Sequence, residues 1–308
     1  YEKSYRHYQD IAQPTITEVD TKIDLYPSEN AYQIEGTYTL ENLADESIGS
    51  ILFNFHSDLK LEDATLRIHD DEISINEFVS EVKLDVPLLP NEVCTLKFEL
   101  SYKWYAVNGH ESFNAIVDNG SFMRISNYYP ALGYQSDNEL EDVQKREEYG
   151  LGEPTVLKSL EMPEVSINDF IDLNMVVSTE DGQTPIGIGN LKTSWTENGR
   201  VYSQYKTNGL PFRFAVASSK YQKKSITHRG IAIEVLYDEK HPENVERLVN
   251  NAVLSLDYCI DNDIRISQQP VKEEIGSIAS GIFTPLLSEI IPSFKTSTTN
   301  ESFFCFII

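Results

Sequence analysis

Cysteine is scarce in this chain: 308 residues hold three, Cys94, Cys259 and Cys305. None stands in a C-x-x-C pair, which excludes zinc ribbons and thioredoxin-type redox motifs. So sparse and odd a set builds no disulfide framework, and buried thiols are expected. Basic side chains are also short. Lys plus Arg number 25 against 49 Asp plus Glu, a formal net charge of −24. The imbalance is concentrated: residues 1–150 hold 11 basic and 29 acidic side chains, residues 151–308 hold 14 and 20. An acidic field repels phosphate backbones and anionic lipid, so nucleic acid and polybasic-type membrane contact are excluded as partners. A cationic partner, such as a peptide's free amino terminus, remains compatible. No stretch reaches the roughly 18 apolar residues of a membrane-spanning helix. Ile275 to Phe294 comes nearest, and Pro285, Glu289, Pro292 and several serines interrupt it. No signal peptide opens the chain and residue 1 is Tyr, so a processed product or a fragment is expected.

Motifs that carry chemistry are missing as well. There is no Walker A pattern and no G-x-S-x-G elbow. Gly187-Ile188-Gly189 lacks the third glycine and the following helix of a dinucleotide site. No two of His7, His56, His69, His110, His228 and His241 stand three or four residues apart, so no single helix offers two of them to a metal. His110-Glu111-Ser112-Phe113-Asn114 begins like H-E-x-x-H but ends on Asn. The acidic clusters Asp70-Asp71-Glu72 and Asp261-Asn262-Asp263 lack the EF-hand loop and its terminal Glu, and turn or helix-end roles are expected. Asn119-Gly120-Ser121 and Asn300-Glu301-Ser302 match the glycosylation sequon, a pattern expected by chance at this length. No catalytic residue and no metal ligand is assigned from the sequence.

What is present is strand patterning. Val19, Thr21, Ile23 and Leu25 alternate with polar residues, as do Tyr32 to Leu40 and Cys94 to Trp104. Successive strand side chains point to opposite faces, so each run has one apolar and one wet face. That pattern belongs to antiparallel sheets covered on one side. Further strands are predicted near 49–56, 64–69, 170–179, 186–195, 200–206, 212–219 and 230–237. Asn198-Gly199 between two such runs predicts a tight hairpin. Asn127 to Tyr134 reads as an aromatic loop: Tyr128, Tyr129 and Tyr134 form either a plug between sheets or a ligand platform. The acidic residues 137–148 read as a short exposed helix. From Pro242 the period changes. Val245, Leu248, Val249, Ala252, Val253 and Leu256 recur at helical spacing, with Pro and Glu in the first turn. The predicted fold is therefore mainly β, a sandwich or saddle-like sheet assembly over residues 1–240. A helical segment with an irregular tail follows over 241–308. The apolar end Ser302 to Ile308 is an aggregation hazard when exposed and reads as a truncation or frame artefact.

Several segments together carry a resemblance. Asn119-Gly120-Ser121-Phe122 followed by Tyr128-Tyr129-Pro130-Ala131-Leu132-Gly133-Tyr134 resembles the N-terminal domain of aminopeptidase N-type zinc metallopeptidases. Tyr1 to Pro14, Gly36 to Leu40, Arg146 to Leu151 and Tyr237 to Pro242 leading into Ser255 to Tyr258 extend it over about residues 1–262. The bacterial branch fused to, or lying beside, ABC-transporter permease segments is the most similar. The resemblance implies a β-rich domain packed on a thermolysin-like catalytic domain of the same polypeptide, whose first helix matches residues 243–262. It implies zinc as the cofactor of the complete protein, peptides as substrates, and a membrane association made only through segments outside this chain. The family's H-E-x-x-H, downstream Glu ligand and G-x-M-E-N loop are absent here, so the chain alone is expected to be inactive, with no cofactor of its own. The family often lends a Gln to the substrate amine about ten residues before the aromatic-Pro pair. Here that place holds Asn119-Gly120-Ser121. Asn119, Ser121, Tyr129 and Tyr134 are the substrate-binding residues the resemblance implies. The reading from another class is a stand-alone β-sandwich binding module for a peptide, glycan or protein partner.

Overall fold

A computed structural model describes residues 1–104, 115–155, 170–262 and 302–306. The His110-Glu111 segment, the apolar stretch 275–294 and the Asn300 sequon residue lie outside them. After a short helix α1 (Glu2–Tyr5), seven strands run in succession: β1 (Thr15–Tyr26), β2 (Ala31–Glu41), β3 (Ile48–Asn54), β4 (Lys60–Ile68), β5 (Asp71–Ser74), β6 (Val79–Leu88) and β7 (Val93–Lys103). Three short strands follow, β8 (Ala115–Val117), β9 (Gly120–Met123) and β10 (Ala131–Leu132), then helix α2 (Val143–Tyr149). The rest comprises β11 (Phe170–Glu180), β12 (Thr184–Ile186), β13 (Asn190–Glu197), β14 (Arg200–Pro211), β15 (Val216–Ser219), β16 (Tyr221–His228), β17 (Ile231–Asp238), helix α3 (Val245–Asp261) and β18 (Ser302–Phe306).

One eight-stranded sheet, in the order β13-β14-β11-β1-β2-β7-β4-β5, forms the frame. Its inner face meets two small sheets, β10-β3-β6 and β12-β15-β9-β8. The mainly β fold read from the sequence is the fold observed. Alternation explains the layering: Val19, Ile23, Leu25, Ile34, Tyr38, Leu40, Leu96 and Phe98 are all buried, while Glu18, Asp20, Gln33 and Glu35 on the same strands are exposed. Asp24 breaks the pattern. It lies on the outer face yet is buried, because Ser178 Oγ donates to it at 2.5 Å and Lys22 Nζ at 2.7 Å.

Four local expectations need correction. The large sheet is mixed: β1 and β11 run parallel, from Glu18↔Asp172 to Asp24↔Ser178, because the chain re-enters at the open edge of β1 in its own direction. The strand predicted at 186–195 is two strands in different sheets, broken at Gly187–Gly189. A Cβ on Gly187 meets Met175 Sδ at 2.9 Å, and Gly189 has φ +100°, which ordinary side chains avoid. The strand predicted at 212–219 shrinks to β15, since Phe212 and Phe214 leave the ladder to pack beside Tyr129. The acidic helix starts only at Val143, where the Asp142 carboxylate accepts from Lys145 N at 3.0 Å, and it ends on Gly150 at φ 65°. The sequence reading also passed over β6. Its alternation Val82, Leu84, Leu88 is plain, but Pro87 argues against an interior strand; β6 lies at a sheet edge, where proline is tolerated.

Hairpin β16–β17 carries α3 on one face through Val235, Val245 and Val249. Its other face docks on the β12-β15-β9-β8 sheet through Leu236 and Tyr221, against Phe122, Ile186 and Ala217. The segment β18 lies parallel to β17, from Ala232↔Ser302 to Leu236↔Phe306.

Two predictions arise from the frame. Gly36 faces Phe98 across the β2–β7 ladder, and a Cβ on Gly36 sits 2.1 Å from that ring's Cζ. Phe98 is itself wedged against Tyr38 and Tyr129, so it cannot yield. Gly36→Ala is expected to lower stability by about 2 kcal/mol in urea denaturation, the overpacking cost of one unwanted methyl; a neutral or stabilising effect would contradict this packing. Cys94 is buried and its thiol is pushed up to about 12 by burial. Thiolate is the reactive form, so iodoacetamide at neutral pH should leave Cys94 unmodified in the native chain and alkylate it in urea, as read by peptide mass spectrometry.

Candidate functional site

The residues implied as ligand contacts fall on three different supports. Asn119 stands in the two-residue turn of the β8–β9 hairpin, between Val117 and its partner Gly120. It is exposed, and its carboxamide makes no hydrogen bond among the described residues, while its main-chain oxygen accepts from Ser219 Oγ at 3.0 Å. Ser121 follows on β9, buried, and its Oγ has no partner among the described residues. Across the ladder from it, Ser218 Oγ donates to Gln183 Oε1 at 3.0 Å, and Gln183 Nε2 donates to the Asp118 oxygen at 2.9 Å.

Tyr129 is elsewhere. It follows a 3-10 turn, Ile125–Tyr128, pinned where Ser126 N donates to the Phe214 oxygen and Phe214 N donates to Ser126 Oγ. Its ring stands edge-on to Phe98 (5.6 Å), Phe212 (6.4 Å) and Phe214 (5.1 Å), and its hydroxyl lies 2.6 Å from Thr21 Oγ1. Burial pushes its phenol well above the ordinary range, against the opposing Thr21 hydrogen bond. The geometry is that of an inter-sheet plug. Tyr134 occupies a third place. It stacks on Tyr1 at 5.2 Å and donates to Glu139 Oε1 at 3.0 Å. Burial and then the Glu139 carboxylate raise its phenol. The structure therefore brings Asn119 and Ser121 together on one hairpin, while Tyr129 and Tyr134 each meet a different set of partners.

Sequence reasoning passed over Gln183 and Ser218, which hold the hairpin's tip. The Asp181-Gly182 turn signal placed a bend there, but nothing in one sequence ties that bend to residue 118. It also passed over the buried ion pair of Glu2 with Arg146.

Two further phenols, one buried and one partly buried, set an alkaline limit. Burial moves Tyr205 and Tyr221 from the ordinary 10.0 up to about 12. An unfolded chain loses these protons near pH ~10. The stabilisation is thus complete below about pH 10 and is lost as pH rises toward 12. The urea midpoint is expected to hold level from neutral pH to about 9 and to fall above about 10, together with a cooperative rise in tyrosinate absorbance. A gradual titration centred near 10 with no loss of structure would contradict it.

Among the described residues the histidines are not grouped as metal ligands. His69 Nε2 lies 3.3 Å from Glu92, His228 Nε2 lies 2.8 Å from Asp257, and His56 Nδ1 accepts from Asp58 N. Among the described residues no three His, Cys, Asp or Glu side chains are grouped to hold an ion. These residues do not fit zinc, and no step through zinc is assigned to them.

No family model and no curated protein matches the chain. Solved structures do. The M1 zinc metallopeptidase from Deinococcus radiodurans is 12% identical, with a TM-score of 0.50, over 74% of this chain and 48% of that one. A mutant of that enzyme bound to a Tyr-Ser-Ala substrate matches over the same shares with a TM-score of 0.48. The chain thus spans about half the length of the structures it resembles. At this identity the likeness establishes the fold and nothing further: the chain has the aminopeptidase N-like β architecture of the N-terminal domain of M1 zinc metallopeptidases.

Proposed function

We propose that this chain is the non-catalytic N-terminal part of a zinc aminopeptidase-like protein. Its role is to wall the substrate cleft and restrict it to peptide amino termini. The observation that carries the proposal is the fold likeness to an M1 zinc metallopeptidase over 74% of the chain. The acidic charge of residues 1–150 supports it, since a negative wall draws in a terminal ammonium. Peptides with free amino termini, the class of the Tyr-Ser-Ala bound to the Deinococcus enzyme, are the proposed ligands. Asn119 and Ser121 are the contacts proposed from this side, and a catalytic domain of the same polypeptide is the proposed partner. Zinc and the groups that ligate it belong to that domain. Placement beside ABC-transporter permease segments, with membrane contact through them, is part of the same proposal.

The test is to sequence the gene beyond the codon for Ile308 in all three frames. The expected result is a frame encoding H-E-x-x-H and a downstream Glu, followed by zinc-dependent aminopeptidase activity of the joined protein. No such motif in any frame would overturn the proposal and leave a β-sandwich binding module.

A further inference from the structure

We infer that Gln183 is the positioning residue of the Asp118-Asn119 turn, holding the Asn119 carboxamide out for the terminal ammonium and first carbonyl of a peptide. The inference rests on the peptide-terminus reading above and names the device that shapes its contact. Two-residue hairpin turns are favoured when their backbone twist matches the strands, which requires positive φ. Asn198-Gly199 (φ 50° and 74°) and Arg229-Gly230 (φ 48° and 83°) meet this requirement. Neither Asp118 nor Asn119 has positive φ, so this turn lacks the intrinsic match. Its strand β8 has three residues and contributes little ladder to hold it.

Side chains from distant segments hold it instead. Gln183 Nε2 donates to the Asp118 oxygen at 2.9 Å, Ser219 Oγ to the Asn119 oxygen at 3.0 Å, and Asn30 Nδ2 to the Ile116 oxygen at 2.8 Å. Gln183 is the central tether. It is 6% exposed, and its other amide atom is fixed by Ser218 Oγ, which is fully buried. A primary amide suits this place because it donates to a carbonyl and accepts from a hydroxyl at once. With both turn oxygens engaged from behind, two exposed side chains are left over, the Asp118 carboxylate and the Asn119 carboxamide, and only Asn119 can both accept and donate. Its carboxamide oxygen can accept from an ammonium and its amide can donate to a carbonyl.

The test uses the full chain, with Tyr-Ser-Ala as the probe. Relaxation of the Asn119 and Gly120 amides should give order parameters near about 0.85, falling below about 0.6 in Gln183→Ala. Gln183→Glu supplies the control. A protonated carboxyl can donate to the Asp118 oxygen and accept from Ser218, whereas a carboxylate only accepts. Turn order in that variant should be low at neutral pH and return on acidification, with wild type unchanged across the same range. A space-filling role predicts no such pH dependence. If the ordered fraction of the turn drops to about a tenth, the Tyr-Ser-Ala dissociation constant rises about tenfold. Preserved order in Gln183→Ala, or a pH-insensitive Gln183→Glu, overturns the inference whether or not the peptide binds. Unchanged peptide affinity despite lost order overturns its ligand half. Order that responds as expected while wild type binds no peptide overturns the functional reading and leaves Gln183's hold on the turn standing.

Discussion

Tyr129→Ala is expected to destabilise the chain by roughly 3–5 kcal/mol, the range for emptying a large aromatic site in a packed core. The ring fills the space between the eight-stranded sheet and the small sheets, with Phe98, Phe212 and Phe214 edge-on to it and Tyr38 stacked at 6.4 Å. None of these neighbours is free to collapse into the gap, since each is itself held on a strand or beside one. Tyr129→Phe separates the ring from the hydroxyl. It keeps the packing and removes one hydrogen bond, and Thr21 Oγ1 retains its bond to the Glu35 oxygen at 3.0 Å. The expected cost is about 1 kcal/mol. Urea denaturation of the two variants checks the pair. A loss under about 1 kcal/mol in Tyr129→Ala would contradict the plug. The pair also separates packing from recognition: Tyr129→Phe should leave peptide affinity unchanged, because the hydroxyl points to Thr21.

Arg146→Leu is expected to cost about 3–5 kcal/mol, because it takes the two-pronged partner from a buried carboxylate and leaves it only Arg6 Nη1, at 3.6 Å, as a charged partner. Arg146 Nη1 and Nη2 grip Glu2 at 3.0 and 2.9 Å, and both side chains are almost wholly buried, at 5% and 4% exposure. The same guanidinium donates to the Leu140 and Gly152 oxygens at 2.6 Å each, and Glu2 Oε1 accepts from Leu140 N at 2.8 Å. One ion pair thus closes the N-terminal helix against the segment that carries α2. The Tyr1–Tyr134 stack and the Gln9–Thr155 and Thr155–Glu139 hydrogen bonds extend that closure. The informative control is the double variant Glu2→Leu with Arg146→Leu. Apolar replacement of a whole buried pair is often neutral, so the double variant should recover most of the loss. Denaturation midpoints give the cycle, and proteolysis between residues 134 and 155 reports the local opening. A double variant as unstable as Arg146→Leu alone would show that the main-chain bonds, not the pair, hold the segment.

Much of the frame was legible in the chain because strand alternation is local. β1, β2 and β7 write their buried face into every second residue, and Asn198-Gly199 writes its turn type into two. Helix α3 was legible for the same reason, through the spacing of Val245, Val249 and Leu256. The misread segments fail where a neighbour overrides the local pattern. Gly187–Gly189 reads as strand until Met175 and Tyr205 press on it. Phe212 and Phe214 read as strand until the core beside Tyr129 claims them. The candidate site was legible only through the family resemblance, and no strand or hairpin was predicted over residues 115–123. Asn119 and Ser121 lie two residues apart, but Gln183, Ser218 and Asn30, which shape their turn, lie on distant segments.

The sequence by itself determined the mainly β class, the inner and outer faces of the long strands, the amphipathic helix near residue 243 and the acidic excess. Each of these depends on composition or on neighbours within a few residues. Only the tertiary structure decided that β1 pairs parallel with β11, that Tyr129 is a plug, that Glu2 meets Arg146, and that Gln183 stands behind the Asn119 turn. Those pairings are set by where distant strands meet and by which buried polar atoms must find partners there, and neither quantity is local to any stretch of the chain.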